Sequence, residues 1–140
     1  MDHEETLLPT LIKRSARLID RQIDLTLKEH GIARSQYRVL HYVARQGELT
    51  QKELAGLLQV EAATLTRIID ALVKKGWLTR VRDNEDQRVR RIRLTPEGER
   101  QFGDIPQPAR ALNRTITRQL DDAEAAALQS SLVKIIEQLS

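Results

Sequence analysis

Cysteine is absent from this chain of 140 residues, and aromatic residues make up only 3% of it. Without thiols the protein cannot form disulfides, use a thiolate nucleophile or bind zinc through cysteine. With so few aromatic side chains, leucine, isoleucine, valine and alanine must fill the core, which favours packed helices. No run of about 18 apolar residues occurs, so we expect no membrane span. The N-terminal stretch is acidic and polar, unlike a signal peptide, and a cytoplasmic location is the simplest expectation.

The overall composition is that of an ordinary globular protein. Hydrophobic residues make up 40% and charged residues 31%, and the length suits a single domain with its own core. The formal net charge is a modest +3. Such an excess of lysine and arginine suits an anionic partner, but it is also common in proteins that need it only for solubility. The distribution of the charges therefore has to decide between the two.

Apolar residues at helical spacing predict two helices in the first third of the chain. The first is expected over about 6–30, with Pro9 in its first turn and Gly31 at its end. The second is expected to begin with Ser35 as N-cap and to end at Gly47. The stripe on the first helix is long enough to pack against another long helix.

Two further helices are predicted between Thr50 and Gly76. Thr50 and Glu53 have the spacing of a capping box, which starts a short helix. A longer helix follows over about 62–75. The predicted inner residues of the short helix are Leu54, Leu57 and Leu58, and those of the longer helix are Leu65, Ile68, Ile69 and Leu72. The opposite face of the longer helix carries Ala63, Arg67, Asp70, Ala71 and Lys74, with Thr64 and Thr66 beside it.

After Gly76 the pattern changes to a β-hairpin. The stretches "WLTRVR" (77–82) and "VRRIRL" (89–94) predict two strands joined by a loop over 83–88. Arginines are frequent in this hairpin, but three acids interrupt them in the loop: Asp83, Glu85 and Asp86. We expect Asp83 and Asn84 to start the turn by bonding to nearby backbone amides. We expect Asp86 to hold Arg88 or a strand arginine in a fixed pose, and Glu85 to be solvated.

The last third of the chain is predicted to be helical. Thr95 as N-cap and Pro96 at the first helical position start a helix that extends towards residue 120. Prolines at 106 and 108 remove backbone donors, so we predict a kink or a break near 105–108. Asp121 and Glu124 form a second capping box. The final helix then presents one apolar face, made by Leu128, Leu132, Ile135 or Ile136, and Leu139.

This order of elements predicts a mainly α (α+β) fold, a winged helix-turn-helix with a two-stranded β wing. The inner stripe of the 62–75 helix fixes it to its neighbours and leaves its outer face free to enter a DNA major groove. The hairpin beside it can reach phosphates or the minor groove. Periodicity alone is equally compatible with an ordinary amphipathic surface helix, and the adjoining basic hairpin favours DNA binding. A winged helix used for protein contacts stays open as an alternative, which the salt dependence of duplex binding would test.

The stretch 49–98 resembles the MarR-type winged-helix transcriptional regulators, most closely their SlyA-like branch. The matching features are "LTQKELA", the helix end "LVKKG", the strand "WLTR", "DQR" at 86–88 and "LTPEG". The resemblance implies one MarR-like domain over 1–140, with a DNA-binding lobe at about 34–98 and long dimerisation helices at about 5–31 and 99–140. It also implies a homodimeric repressor that binds a pseudo-palindromic operator in double-stranded DNA.

The resemblance assigns roles to particular residues. Recognition-helix contacts fall on Ala63, Thr64 and Arg67, and Thr66 offers another hydroxyl. The wing arginine that enters the minor groove falls on Arg88, Asp86 orients it, and Arg90 supports the wing or touches phosphate. The small residues Ala62 and Ala63 leave few polar side chains at the helix tip, which favours indirect readout of groove shape.

The family also implies release from DNA by a small phenolic or carboxylate effector. The candidate lining residues are Arg14, Arg17, Tyr37, His41 and Trp77. Arg14 and Arg17 lie three residues apart, a spacing suited to a carboxylate. The alternative is stronger here, because helical arginines usually face solvent and a histidine beside a tyrosine is more often a packing residue.

An enzyme or a metal-dependent regulator is the rival class. The three histidines, His3, His30 and His41, do not have the close spacing of a ligand pair. The chain contains neither a G-x-S-x-G motif nor a glycine-rich phosphate loop. We therefore expect no enzymatic activity, no catalytic residues, no metal and no cofactor.

Overall fold

The computed structural model describes residues 3–140 and is mainly helical, with a small antiparallel sheet. The described elements are a short 3₁₀ helix His3–Thr6, α1 Leu8–Glu29, α2 Arg34–Gln46, β1 Glu48–Thr50, α3 Gln51–Leu58, α4 Ala62–Lys74, β2 Leu78–Arg82, β3 Arg90–Leu94, α5 Pro96–Asp104, α6 Pro108–Thr117 and α7 Asp122–Leu139. Three helices end at glycines with positive φ: Gly31, Gly47 and Gly76. These endings agree with the sequence predictions, because glycine adopts that conformation without steric cost.

The chain forms two compact units. One runs from Ile23 to Pro106, and the other combines the described residues up to Gln22 with Gln107–Ser140. The hydrophobic core of the first unit includes Leu27 and Ile32 at one end and Ile105 at the other. The DNA-binding lobe at about 34–98 stays a prediction.

The core of the Ile23–Pro106 unit is aliphatic. On α4 the predicted inner residues Leu65, Ile69 and Leu72 are fully buried. On α3 the prediction was right for Leu54 and Leu58 and wrong for Leu57, which is 46% exposed. Leu54 and Leu58 lie four residues apart on one face, so this short helix buries only a narrow stripe.

The sheet has three strands in the order β1-β3-β2, one more than predicted. The hairpin β2–β3 is the predicted two-stranded wing, and Trp77 and Val89 lie just outside its strands. Strand β1, which the sequence analysis missed, pairs with β3 through Leu49 opposite Ile92. Both of these side chains are buried, so β1 fixes the inner edge of the wing to the core.

Most predicted helix starts are confirmed. The Thr95 hydroxyl accepts a 2.9 Å bond from the Gly98 amide, and the reciprocal bonds of the Asp121–Glu124 capping box are 2.7 and 3.1 Å. Thr50 caps α3, but only half of the predicted box forms. The Glu53 amide donates a 3.1 Å bond to the Thr50 hydroxyl, whereas the Glu53 carboxylate accepts from that hydroxyl and not from the Thr50 amide. The prediction for α2 was wrong, because Ala33 precedes the first turn and Ser35 lies within it.

The Ala33 amide is satisfied by the side-chain oxygen of Gln36 at 3.0 Å. Gln36 thus supplies the reciprocal half of a capping box, while Ala33 has no side-chain oxygen to accept from the first amides of the helix. The predicted kink or break near 105–108 is confirmed as a break, since α5 ends at Asp104 and α6 begins at Pro108. Pro108 stands at the start of its helix, where its missing donor costs nothing.

The second unit exposes much of its apolar surface in the single chain. No side chain of α7 is buried, although the helix has the predicted apolar face. The exposed large apolar residues in this unit are Leu7, Leu8, Leu11, Ile12, Leu18, Ile116, Leu128, Leu132, Val133, Ile136 and Leu139. Among residues 3–140, no helix has both the length and the apolar character needed to cross a membrane.

Candidate nucleic-acid interface

The outer face of α4 is exposed, as predicted for a recognition helix. Ala62, Ala63 and Arg67 lie on the exposed side, and Thr64 is half-buried. The Arg67 guanidinium makes no ion pair with any carboxylate in residues 3–140. The small alanines allow close approach at the helix tip, while an unpaired arginine is available for a guanine edge or a phosphate.

The Thr66 hydroxyl is already engaged within the protein. It accepts a 2.6 Å hydrogen bond from the side-chain amide of Gln51 and donates a 2.9 Å bond to the Ala62 carbonyl. Thr66 therefore joins α4 to the first residue of α3. The role of Gln51 could not be predicted from the sequence, because its partner lies fifteen residues away and no local pattern links the two.

Asp83 holds the wing loop together. Its carboxylate accepts backbone amide bonds from Glu85 at 3.1 Å and Asp86 at 3.0 Å, which confirms its predicted role in starting the turn. It also accepts a 2.7 Å bond from the Arg91 guanidinium. The Arg91 bond, followed by the Asp86 amide, lowers the pKa of Asp83, because all these donors favour the charged carboxylate. The same pairing raises the pKa of Arg91.

Asp86 contacts Arg88, one of the two partners expected for it. Its carboxylate accepts from the Arg88 backbone amide at 3.0 Å and from the guanidinium at 3.4 Å. The Arg88 side chain is 92% exposed, so the acid fixes the backbone at the loop more firmly than the guanidinium. Arg90 donates to the Gln87 carbonyl across the same turn. The wing tip therefore has a defined backbone and an exposed arginine.

Three further arginines of the hairpin form ion pairs with acids on neighbouring elements. Arg91 and Arg93 both contact Glu48 of β1, at 3.5 and 2.6 Å, and Arg80 pairs with Asp70 of α4. These pairs attach the wing to β1 and to the recognition helix. The acids near the basic run thus compensate some of its arginines and leave others available.

Comparison with known proteins agrees with this geometry. Residues 32–89 match the model of the MarR family. The chain is 40% identical over 94 residues to the uncharacterized HTH-type transcriptional regulator YwoH of Bacillus subtilis, covering 67% of this chain and 68% of that protein. It is 33% identical over 118 residues to the multiple antibiotic resistance protein MarR of Salmonella typhimurium, covering 84% and 82%. The chain belongs to the MarR family.

Solved structures support the same assignment for this MarR-family chain. A mutant MarR from E. coli complexed with operator DNA superposes with a TM-score of 0.77 at 29% identity, covering 96% of this chain and 99% of that one. The predicted winged-helix fold and the class of DNA-binding transcriptional regulator are confirmed. The narrower SlyA-like branch stays a prediction.

The candidate effector residues of this MarR-family chain are distributed over both units. Tyr37 and His41 stack on α2 with ring centroids 6.3 Å apart, and Phe102, which the sequence analysis did not single out, lies 5.5 Å from Tyr37. Burial raises the pKa of Tyr37. Trp77 is only 6% exposed and belongs to the core. Arg14 and Arg17 are exposed on the part of α1 that belongs to the other unit. No cluster of three potential metal ligands occurs within residues 3–140.

Proposed function

We propose that this protein is a homodimeric transcriptional repressor that binds a pseudo-palindromic operator in double-stranded DNA. The observation that supports the proposal is the contrast between its arginines: Arg67 on α4 is unpaired and Arg88 at the wing tip is 92% exposed with one long contact to Asp86, while Arg80, Arg91 and Arg93 are ion-paired beside them. The two accessible arginines therefore lie on the two adjoining elements that a winged helix presents to DNA. The operator complex of a related MarR is in keeping with this use of the fold.

Each proposed contact residue has a chemical role. Ala63 allows close approach, Thr64 offers a hydroxyl, and Arg67 can bind a guanine or a phosphate with two parallel bonds. Arg88 would enter the minor groove, whose negative potential attracts arginine. Asp86 and Arg90 would hold the loop that carries Arg88, and Thr66 would fix α4 through Gln51.

Dimerisation is proposed from the exposed apolar side chains of α1, α6 and α7. Leu8, Ile136 and Leu139 are 66%, 63% and 81% exposed in the single chain. Removing such side chains from water stabilises an assembly by roughly 25 cal/mol per Å². Two identical DNA-binding lobes then require two half-sites, separated by about one helical turn of 10–10.5 base pairs.

The test begins with footprinting of genomic fragments, including the region upstream of the protein's own gene. With the selected duplex, we expect Arg88→Ala to weaken binding by about 1–3 kcal/mol. Gln87→Ala, at the exposed neighbouring position, is the control and should bind like wild type. Sedimentation should give the same dimer mass for all three proteins. Full affinity in Arg88→Ala would contradict the wing assignment, and protection of single half-sites would contradict the dimer.

Release by a small anionic or phenolic effector is proposed from the stacked Tyr37–His41 pair of the Ile23–Pro106 unit. An aromatic carboxylate or a phenol could stack on such rings. A panel of aromatic carboxylates and phenols should include compounds that lower duplex affinity of wild type and not of a Tyr37→Ala variant. If no compound changes the affinity of wild type, this part of the proposal is wrong.

A further inference from the structure

Arg82 and Arg90 stand directly opposite each other at the outer end of the β2–β3 ladder. In an antiparallel pair, opposite residues point to the same face with Cβ atoms about 4.5–5.5 Å apart. Two positive side chains in this arrangement repel each other and destabilise the hairpin. The repulsion between Arg82 and Arg90 therefore lowers the stability of the hairpin and contributes nothing to its folding.

The shared face of these two arginines is turned towards the recognition helix. Side chains alternate along a strand, so Arg80 and Leu78 lie on the same face of β2 as Arg82. Leu78 is buried in the core, and Arg80 pairs with Asp70 of α4. Arg82 extends the same row by two residues, roughly 7 Å further out along the strand.

Acids pair with both arginines of β3 on the other face, whereas on this face only Arg80 is paired. Arg93 and Arg91 point the other way and pair with Glu48, and Arg91 also pairs with Asp83. Within residues 3–140, no carboxylate pairs with Arg82 or Arg90. Arg90 donates to the Gln87 carbonyl, whereas Arg82 is exposed and makes no hydrogen bond to a described residue.

We propose that Arg82 is a further DNA-backbone contact, which together with Arg90 forms a clamp for one phosphate group. Guanidinium groups bind phosphate oxygens with parallel, charge-assisted bonds, and an anion between the two arginines converts their repulsion into attraction. The inference rests on the proposed function, because the phosphate belongs to the duplex that Arg67 and Arg88 contact. Arg82 contributes to the affinity for DNA and not to the preference for a base sequence, because a phosphate group is the same at every base pair.

The experiment compares Arg82→Ala with Arg93→Ala, which removes a paired arginine from the opposite face of the same hairpin. Duplex affinity is measured by fluorescence anisotropy over a series of salt concentrations, with operator and scrambled duplexes. In the proposed homodimer the substitution removes two phosphate contacts, one from each protomer, so the plot of log affinity against log salt should become shallower by about 1.8, which is roughly a sixtyfold loss at 0.1 M salt. We expect this loss for Arg82→Ala with both duplexes, and an unchanged slope for Arg93→Ala.

Thermal unfolding without DNA supplies a second readout. Arg82→Ala should raise the Tm, because it removes the repulsion with Arg90, whereas Arg93→Ala should lower the Tm by breaking the bond to Glu48. An unchanged salt slope for Arg82→Ala, beside a steep slope for wild type, would overturn the clamp and leave the proposed function intact. An equal loss of slope in Arg93→Ala would also overturn it. A wild-type protein without salt-dependent duplex binding would instead refute the proposed function.

Discussion

The side-chain amide of Gln51 donates a 2.6 Å hydrogen bond to the Thr66 hydroxyl, so the first residue of α3 is joined to the N-terminal half of α4. Gln51 also lines an open groove together with Arg88 and Arg90 of the wing region. The bond therefore lies close to all the elements that would contact DNA. Because Thr66 also bonds to the Ala62 carbonyl, the hydroxyl fixes α4 at its N-terminal end.

Substitution of either partner should disturb the placement of the recognition helix. We expect Gln51→Leu and Thr66→Val each to lower the free energy of unfolding by about 0.5–1.5 kcal/mol. Operator affinity should fall more than affinity for a scrambled duplex, since only specific contacts need α4 in register. Urea unfolding and anisotropy of both variants and of the double variant complete a double-mutant cycle. Strictly additive energies would show that the two residues act independently.

Arg67 should contribute to sequence preference. A bidentate arginine contact discriminates between bases by about 1–3 kcal/mol, so Arg67→Ala should bring operator and scrambled duplexes closer in affinity. Lys74→Ala changes an exposed cation at the other end of the same helix and should preserve the ratio of the two affinities. Competition titrations measure this ratio. An unchanged ratio in Arg67→Ala would assign that arginine to a phosphate.

The wing loop should depend on the ionised form of Asp83. Its pKa lies below the ordinary value of about 3.9, chiefly because of the bond from Arg91, so its carboxylate stabilises the fold above that pH. This contribution fades as the pH falls through the lowered pKa. Asp83→Asn should therefore have a lower Tm at neutral pH and a smaller further loss below about pH 4 than wild type.

Glu85→Gln is the matched control for this pH dependence. Its side chain is exposed in the same loop and makes no ion pair within the described residues, as expected from the sequence. Its Tm should follow wild type over the whole pH range. Parallel curves for wild type and Asp83→Asn would mean that the Asp83 network does not stabilise the fold.

Two glycines of α5 should respond to alanine in opposite directions. A Cβ at Gly98 would lie 2.0 Å from the Trp77 carbonyl oxygen, a backbone atom that cannot move aside easily. Gly98→Ala should therefore destabilise the fold by about 1–3 kcal/mol or more. At Gly103 nothing lies within 4 Å of such an atom, so Gly103→Ala should stabilise α5 by up to about 1 kcal/mol. Urea midpoints decide between these signs, and destabilisation by both would contradict the packing.

The elements that could be predicted from sequence are those whose partners lie within one or two turns. The cap at Thr95 and the box of Asp121 and Glu124 are local pairs, and the stripe on α4 follows from helical spacing alone. Strand β1 was missed because it has only three residues and its stability comes from β3, more than forty residues later. Helix α2 was given the wrong cap because serine is a favoured N-cap residue, whereas the helix starts two residues earlier, after Ala33, whose amide bonds to Gln36.

In the candidate site, too, the local contacts could be predicted from the sequence and the long-range contacts could not. The turn at Asp83 could be predicted, because its acceptors and donors are two and three residues apart. The ion pair between Arg93 and Glu48 could not be predicted, because the two residues are 45 positions apart in the sequence. The partner of Thr66 and the opposition of Arg82 to Arg90 likewise depend on packing and on strand register, which the alternation of side chains does not fix.

Thr50 belongs to two elements at once, as the last residue of β1 and the N-cap of α3. No linker residue therefore separates β1 from α3. We expect a one-residue insertion at this junction to abolish folding or DNA binding, because either the strand register or the cap must be lost. The same insertion beside Asn84, at the exposed tip of the hairpin, should cost the fold less, because it disturbs only the local turn bonds to Asp83. We therefore expect the chain to accept a change of length more readily at the tip of the wing than at the junction of β1 and α3.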